Sequence, residues 1–182
     1  MKPLFKILAS VILFSFLPLI SQNVAYFDQF GIKDGLSQSS INALVQDKLG
    51  IFWFATQDGL NRYSYHENKI FNHIPFDKNS ISGNQINDLF TDKEGNIWIL
   101  SNGGIDYINP INFKITNVLK LKNCKEFESI SKAWLANTYL ILNTNKGIFV
   151  VKDLILNPEK FEKIDFKFKT EGRFSVIAIT PI

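Results

Sequence analysis

Asp47 and Asp92, Trp53 and Trp98, His66 and His73, and the single Cys124 are the side chains of this 182-residue chain whose types invite a chemical reading. Two carboxylates could work as acid and base or hold a cation, two indoles could stack on sugar rings, and imidazoles or a thiol could ligate a metal. Their settings point elsewhere. Asp47 and Asp92 each open the same Asp-Lys-x-Gly sequence, 47–50 and 92–95. There a carboxylate bonds its own backbone, and Gly50 and Gly95 take the left-handed position that a side chain resists. Neither turn has the alternating oxygen ligands of a calcium loop. Trp53 and Trp98 stand in the middle of apolar runs, IFWFAT and NIWILS, where a large ring fills the space between packed sheets rather than greeting a sugar.

The remaining candidates are weaker still. The two histidines are seven residues apart with no cysteine or acid at metal-ligand spacing around them. Neither lies in the apolar helical setting of a phospho-accepting histidine. Asn102-Gly-Gly104 follows a strand but opens another strand, so no helix N-terminus is offered to a phosphate. No serine lies in a nucleophile elbow. Cys124 has no partner for an intrachain disulfide and reads as a small buried apolar residue. The expectation is a chain with no catalytic residue, no metal site and no cofactor.

Charge and composition narrow the class. Residues 1–6 carry Lys2 and Lys6, residues 7–20 (ILASVILFSFLPLI) are apolar, and Ser21, Gln22 and Asn23 follow. This is the order of a secretory signal, assigned to residues 1–21. Fourteen residues (7–20) fall short of the ~20 that cross a bilayer as a helix, so cleavage is favoured over a retained anchor. Without Lys2 and Lys6, 18 basic side chains face 17 acidic ones, which leaves no electrostatic case for nucleic acid. Hydrophobic residues make up 46%, enough to bury a core and to exclude a disordered tail.

What positions these residues is a repeat. At an offset of 45 residues, from Leu36 to Ile81, nine side chains recur unchanged: Ser37/Ser82, Ile41/Ile86, Asn42/Asn87, Leu44/Leu89, Asp47/Asp92, Lys48/Lys93, Gly50/Gly95, Trp53/Trp98 and Gly59/Gly104. In each copy the pattern predicts four strands: 41–46, 51–56, 60–65 and 69–74, then INDLFT, NIWILS, 105–108 and 113–121. Pro75 suits the crossing segment between copies and would not suit a central strand. A third copy is predicted from Gly147, with strands over 139–144, 147–151 and 161–168 but without the Trp or the Asp-Lys-x-Gly turn; 174–180 reads as the opening strand of a fourth. A period in the forties made of four short strands predicts an all-β fold, a partial β-propeller of about three four-stranded blades plus one extra strand after the signal segment. The propeller spans 22–182, with blades near 36–80, 81–125 and 126–170 and a fourth begun at 171–182.

The residues GLS at 35–37, IN at 41–42, the Asp-Lys-x-Gly turn, WFAT at 53–56, GLNRY at 59–63 and the linker HIPFDKNSISGNQIN at 73–87 resemble the two-component regulator propeller repeat. The resemblance covers residues 31–110 closely and 135–151 loosely. It implies a periplasmic, ligand-sensing segment of a membrane sensor of the hybrid two-component type, with an extracytoplasmic ligand for which glycan fragments are the candidate class. Family sensors continue through more blades to a membrane helix and an output module; the expectation is therefore an N-terminal piece of such a sensor. Its partners would be the remaining blades or another chain, and it would meet the membrane only through a missing region or an uncleaved N-terminus. The alternative is a free-standing exported scaffold that completes its ring by oligomerising. Propeller geometry places a ligand at the ends of the innermost strands and in the adjoining turns, which singles out Gln38, Asn42, Gln57, Asp58, Asn87 and Asn102.

Overall fold

A computed structural model of the chain describes residues 29–64, 67–136, 138–152 and 160–164. The expected signal segment, His66 and the expected strand over 174–180 lie outside the described residues, as does most of the run VAYFDQF at 24–30, whose apolar and aromatic residues predict a short strand before the first repeat. Gln29 and Phe30, at that strand's end, have no regular structure. Instead the Phe30 ring packs on Phe54 and Tyr63.

Among the described residues there are twelve strands in three four-stranded antiparallel sheets. The first holds β1 (Ile41–Gln46), β2 (Phe52–Thr56), β3 (Gly59–Ser64) and β4 (Glu67–Phe71) in that order. The second holds β5 (Ile86–Thr91), β6 (Ile97–Ser101), β7 (Gly104–Ile108) and β8 (Ile115–Lys120), again in order. The third holds β9 (Ile130–Ala136), β10 (Tyr139–Thr144), β11 (Gly147–Val151) and β12 (Phe161–Ile164). Each sheet is a meander of sequence-adjacent strands, the order of a propeller blade. The first strands of neighbouring sheets lie beside one another, β1 against β5 and β5 against β9, which puts them innermost. No helix among the described residues is long and apolar enough to cross a membrane.

Alternation along the strands decides which blade each side chain meets. In β6 all five residues are buried because the middle blade is covered on both faces. Ile97 and Ile99 join Trp53, Ala55 and Leu60 of the first blade in one core, while Trp98 and Leu100 point the other way into a core with Ile130, Ala133, Leu140 and Leu142 of the third. The hydrophobic core of this protein therefore lies between the sheets. Trp53 and Trp98 each fill the seam toward the next blade in the chain, Trp53 fully buried and Trp98 nearly so.

Strand limits differ from the expectation where side chains intercept the backbone. β4 runs Glu67–Phe71 rather than over 69–74, because the His73 N–H leaves the ladder for Asn84 Oδ1 at 2.6 Å. β8 starts at Ile115 rather than 113, since Asn109 Oδ1 accepts from Ile111 and Asn112 and holds a turn in which Phe113 takes φ 58°. In the third blade, β9 and β10 are joined by two residues, and no aspartate turn separates them.

Candidate functional site

Each aspartate turn is tied to its tryptophan. Asp47 Oδ1 accepts from the N–H groups of Leu49 and Ile51, and its Oδ2 accepts from Trp53 Nε1 at 2.9 Å. Asp92 repeats this: Oδ1 accepts from Gly95 and Asn96, and Oδ2 from Trp98 Nε1, again at 2.9 Å. Gly50 and Gly95 close these turns at φ 80° and 96°, where only glycine is unstrained. Burial alone would raise the Asp92 pKa, but the bonds from Trp98, Asn96 and Gly95 outweigh it and hold the carboxyl below its ordinary value. These acids orient indoles in the blade seam.

A second recurring pair locks each crossing segment onto its blade. Ser37 N–H donates to Asn61 Oδ1 at 2.8 Å, and Asn61 Nδ2 donates back to Ser37 Oγ at 2.8 Å. One repeat on, Ser82 N–H donates to Asp106 Oδ2 at 2.7 Å and Ser82 Oγ to Asp106 Oδ1 at 2.6 Å, with Asn117 Nδ2 as a third donor at 2.7 Å. Burial pushes the Asp106 carboxyl up, and the bonds from Ser82 and Asn117 and the charge of Lys120 offset only part of that. In the third blade the position two residues after the turn glycine is Phe149, whose ring meets Phe127 with centroids 5.1 Å apart. An aromatic pair there replaces the polar one.

One end of the sheets gathers the polar residues that a ligand would meet. The first strand of each blade carries a register shift at its start, between Ile41 and Ala43, between Ile86 and Asp88, and between Ile130 and Lys132 on the partner side of Asn143 and Thr144. The bulged residues are Asn42, Asn87 and Ser131, and such bulges re-aim side chains. Asn42 Nδ2 uses its exposed position to donate to Ile86 O of the next blade at 2.7 Å, while Asn87 is exposed. The second-to-third strand turns lie at the same end, because Thr56 pairs with Ile41 and Ser101 with Ile86. Gln57, Asp58 and Asn102 are exposed on those turns. Gln38 is half-buried, with Oε1 accepting from Gln57 N–H at 3.3 Å.

Sequence reasoning missed three hydroxyls that set these turns. Thr56 donates to Gly59 O at 2.9 Å and accepts from Asp58 N–H; Ser101 makes the same pair with Gly104 and Gly103, and Thr144 with Gly147 and Lys146. The signal was present as a Thr or Ser three residues before a glycine in all three copies. Farther out at this end, His73, Ser82, Asn102, Gly103, Lys120 and Lys122 line a cleft of about 180 Å³. It joins the crossing segment to the edge of the second blade, a meeting of residues too far apart in the chain for any motif to announce. Among the described residues, no group of three His, Cys, Asp or Glu side chains could hold a metal ion.

Comparison with known proteins bears on this arrangement. Residues 35–58 and 80–103 match the family described as two component regulator propeller. These stretches span β1 with β2 and β5 with β6, with the turn that follows each pair. A curated relative, Histidine kinase P4 of Formosa agariphila, is 50% identical over 76 residues, which is 40% of this chain and 6% of that kinase. Two solved structures are similar in fold, both extracellular domains of hybrid two-component systems of B. thetaiotaomicron. One has a TM-score of 0.50 at 22% identity over 62% of this chain and 16% of that one. The other has a TM-score of 0.51 at 17% identity over 76% of this chain and 26% of that one. The chain thus spans a small part of the length of each of these relatives.

Proposed function

We propose, from the premise that this chain carries two-component regulator propeller repeats, that it is a non-catalytic, periplasmic, ligand-sensing propeller segment of a two-component-type membrane sensor. The observation that carries the reading is a coincidence of place. The two matched stretches end in the turns at 57–58 and 102–103, beside the bulged Asn42 and Asn87, so the repeat itself builds a polar end on an apolar array. That end offers amides and hydroxyls on a scaffold fixed by Asp–Trp and Ser–Asn or Ser–Asp bonds. Such a scaffold suits recognition of a polar, glycan-derived solute. Binding would favour one packing of the blades over another and so bias a membrane-spanning partner in the remainder of a longer sensor.

Deleting the codons for residues 29–164 in the source cell tests this. Transcription induced by the extracellular ligand should be lost while the rest of the sensor still reaches the envelope. An unchanged induction would remove the reading.

A second reading is favoured by the outer blade faces. The first blade presents Phe52, Leu44 and Ile41 to solvent, each 39–53% exposed. The third bears an open hollow of about 370 Å³ over Tyr139, Ile141, Val150 and Ile164. A propeller closes its ring by covering such faces, and a second copy of a free-standing scaffold could do so as well as further blades. Light scattering on the exported chain separates the two: a defined small oligomer supports the scaffold, and soluble aggregate or degradation supports the sensor segment.

A further inference from the structure

The cleft between the crossing segment and the second blade is a point where the repeats differ in charge. Opposite the turn glycine, the first blade pairs Gly59 with its neighbour strand beside Asn72, and the second pairs Gly104 with Lys120. Immediately before that glycine stands Asp58 in the first blade and Gly103 in the second; two residues beyond Asn72 and Lys120 stand Ile74 and Lys122. The same corner of the fold has therefore lost one acid and gained two cations. In the first blade the corner is closed on itself, with Asn72 Nδ2 donating to Asp58 O at 3.3 Å. In the second it is an open cleft of about 180 Å³.

The donors around that cleft are held in place. A side chain at Gly103 would overlap Ser82 O, and one at Gly83 would overlap Asn102, so the crossing segment lies directly on the turn. His73 Nδ1 is 2.7 Å from Ile81 O, an acceptor only, so Nδ1 carries a proton and that bond orients the ring, while the backbone N–H of His73 donates to Asn84 Oδ1 and fixes the chain beneath it. The carboxylate whose charge balances Lys120, Asp106, is fully buried and already takes three hydrogen bonds from Ser82 and Asn117. Among the described residues neither Lys120 nor Lys122 makes an ion pair, and the residues lining the cleft include no acid.

We propose that this cleft binds one oxyanion group, a carboxylate or a sulfate, through Lys120, Lys122 and Asn102, with the His73 ring as a wall of the cleft. An oxygen-rich anion suits it because two ammonium groups and an amide supply charge and donors together at one corner of the blade. The volume holds a single such group and not a whole sugar ring chain. The proposal deepens the sensor reading and rests on it only for the ligand's extracytoplasmic origin.

Calorimetric titration of the full chain at low ionic strength, with sodium sulfate, sodium glucuronate and glucose as probes, tests it. Sulfate and glucuronate should bind competitively and glucose should not. Lys120→Gln with Lys122→Gln should weaken both anions at least tenfold, Lys120→Arg with Lys122→Arg should keep them, and Lys146→Gln should change nothing. Should the glutamine variant not fold, amide shifts of Ser82, Gly103 and Lys122 in the unaltered chain on sulfate addition serve in its place. Binding of sulfate alone assigns the cleft to a sulfo group or free inorganic anion, and binding of glucuronate alone to an acidic sugar, each within the proposal. Binding of neither anion, equal binding by the folded glutamine variant, or shifts elsewhere only would overturn it. Anion binding by a chain whose deletion leaves induction intact would sink the sensor reading and leave this one standing.

Discussion

Trp53 Nε1 lies 2.9 Å from Asp47 Oδ2, and that oxygen has no other hydrogen-bond donor among the described residues. The equivalent Asp92 Oδ2 takes two donors, Trp98 Nε1 and Asn96 Nδ2 at 2.8 Å. The two seams should therefore answer differently to the same change. Trp53→Phe strands a buried carboxylate oxygen and should cost about 2–4 kcal/mol, since an unmet buried acceptor adds to the lost volume. Trp98→Phe leaves Asn96 in place and should cost roughly 1–2 kcal/mol less. Urea unfolding of the two variants gives the comparison, and equal losses would contradict it.

Asp92 should make stability rise out of the acid range. Its folded pKa lies below the ordinary 3.8, held down by bonds from Trp98, Asn96 and Gly95 against the opposing effect of burial. The stability it contributes is present above 3.8 and is lost as pH falls through the lower folded value. Asp92→Asn should therefore be less stable than the parent at neutral pH, with the gap closing below pH 3.8. A gap that is constant down to the acid limit would refute this.

Asp106 should do the reverse. Burial raises its pKa above 3.8, so the stability linked to its protonated form is complete below 3.8 and is lost as pH rises through the folded value. Asn61 fills the equivalent place in the first blade with an uncharged amide that meets both serine groups. Asp106→Asn should flatten the decline of stability above pH 3.8 and cost little at neutrality. Melting temperatures of parent and variant across that range settle it, and a steeper decline in the variant would count against the assignment.

Gly104 sits at φ 144° with the position of its missing side chain filled by Leu119 O, whereas nothing lies within 4 Å of the same point on Gly31. Gly104→Ala combines backbone strain with a clash against a buried strand and should lose about 3 kcal/mol or more, against less than about 0.5 for Gly31→Ala. Soluble yield and melting temperature distinguish the pair.

Much of this arrangement could be read in the residues because it is local. The strands over 41–46, 139–144 and 147–151 lie where alternation and turn residues put them, since both signals are contained within a few residues. The opening strand of the third blade, Ile130–Ala136, has no such local signal, because this copy lacks the second-strand Trp and the aspartate turn, and its pairing with the next strand reveals it only in three dimensions. Ser37 recurs as Ser82, but their partners 24 residues on are Asn61 in one copy and Asp106 in the other, so identity marked only one half of the buried pair. The cleft depends on His73 meeting Lys120 and Lys122 across a blade edge, a closeness set by sheet register alone.

The most direct check of the central claim is the transcript downstream of the codon for Ile182. A sensor segment requires the frame to continue through further Asp-x-x-Gly turns and Trp strands to a membrane-spanning helix and a signalling output. A stop codon there followed by unrelated sequence, with the exported chain found as a discrete folded species, would contradict it.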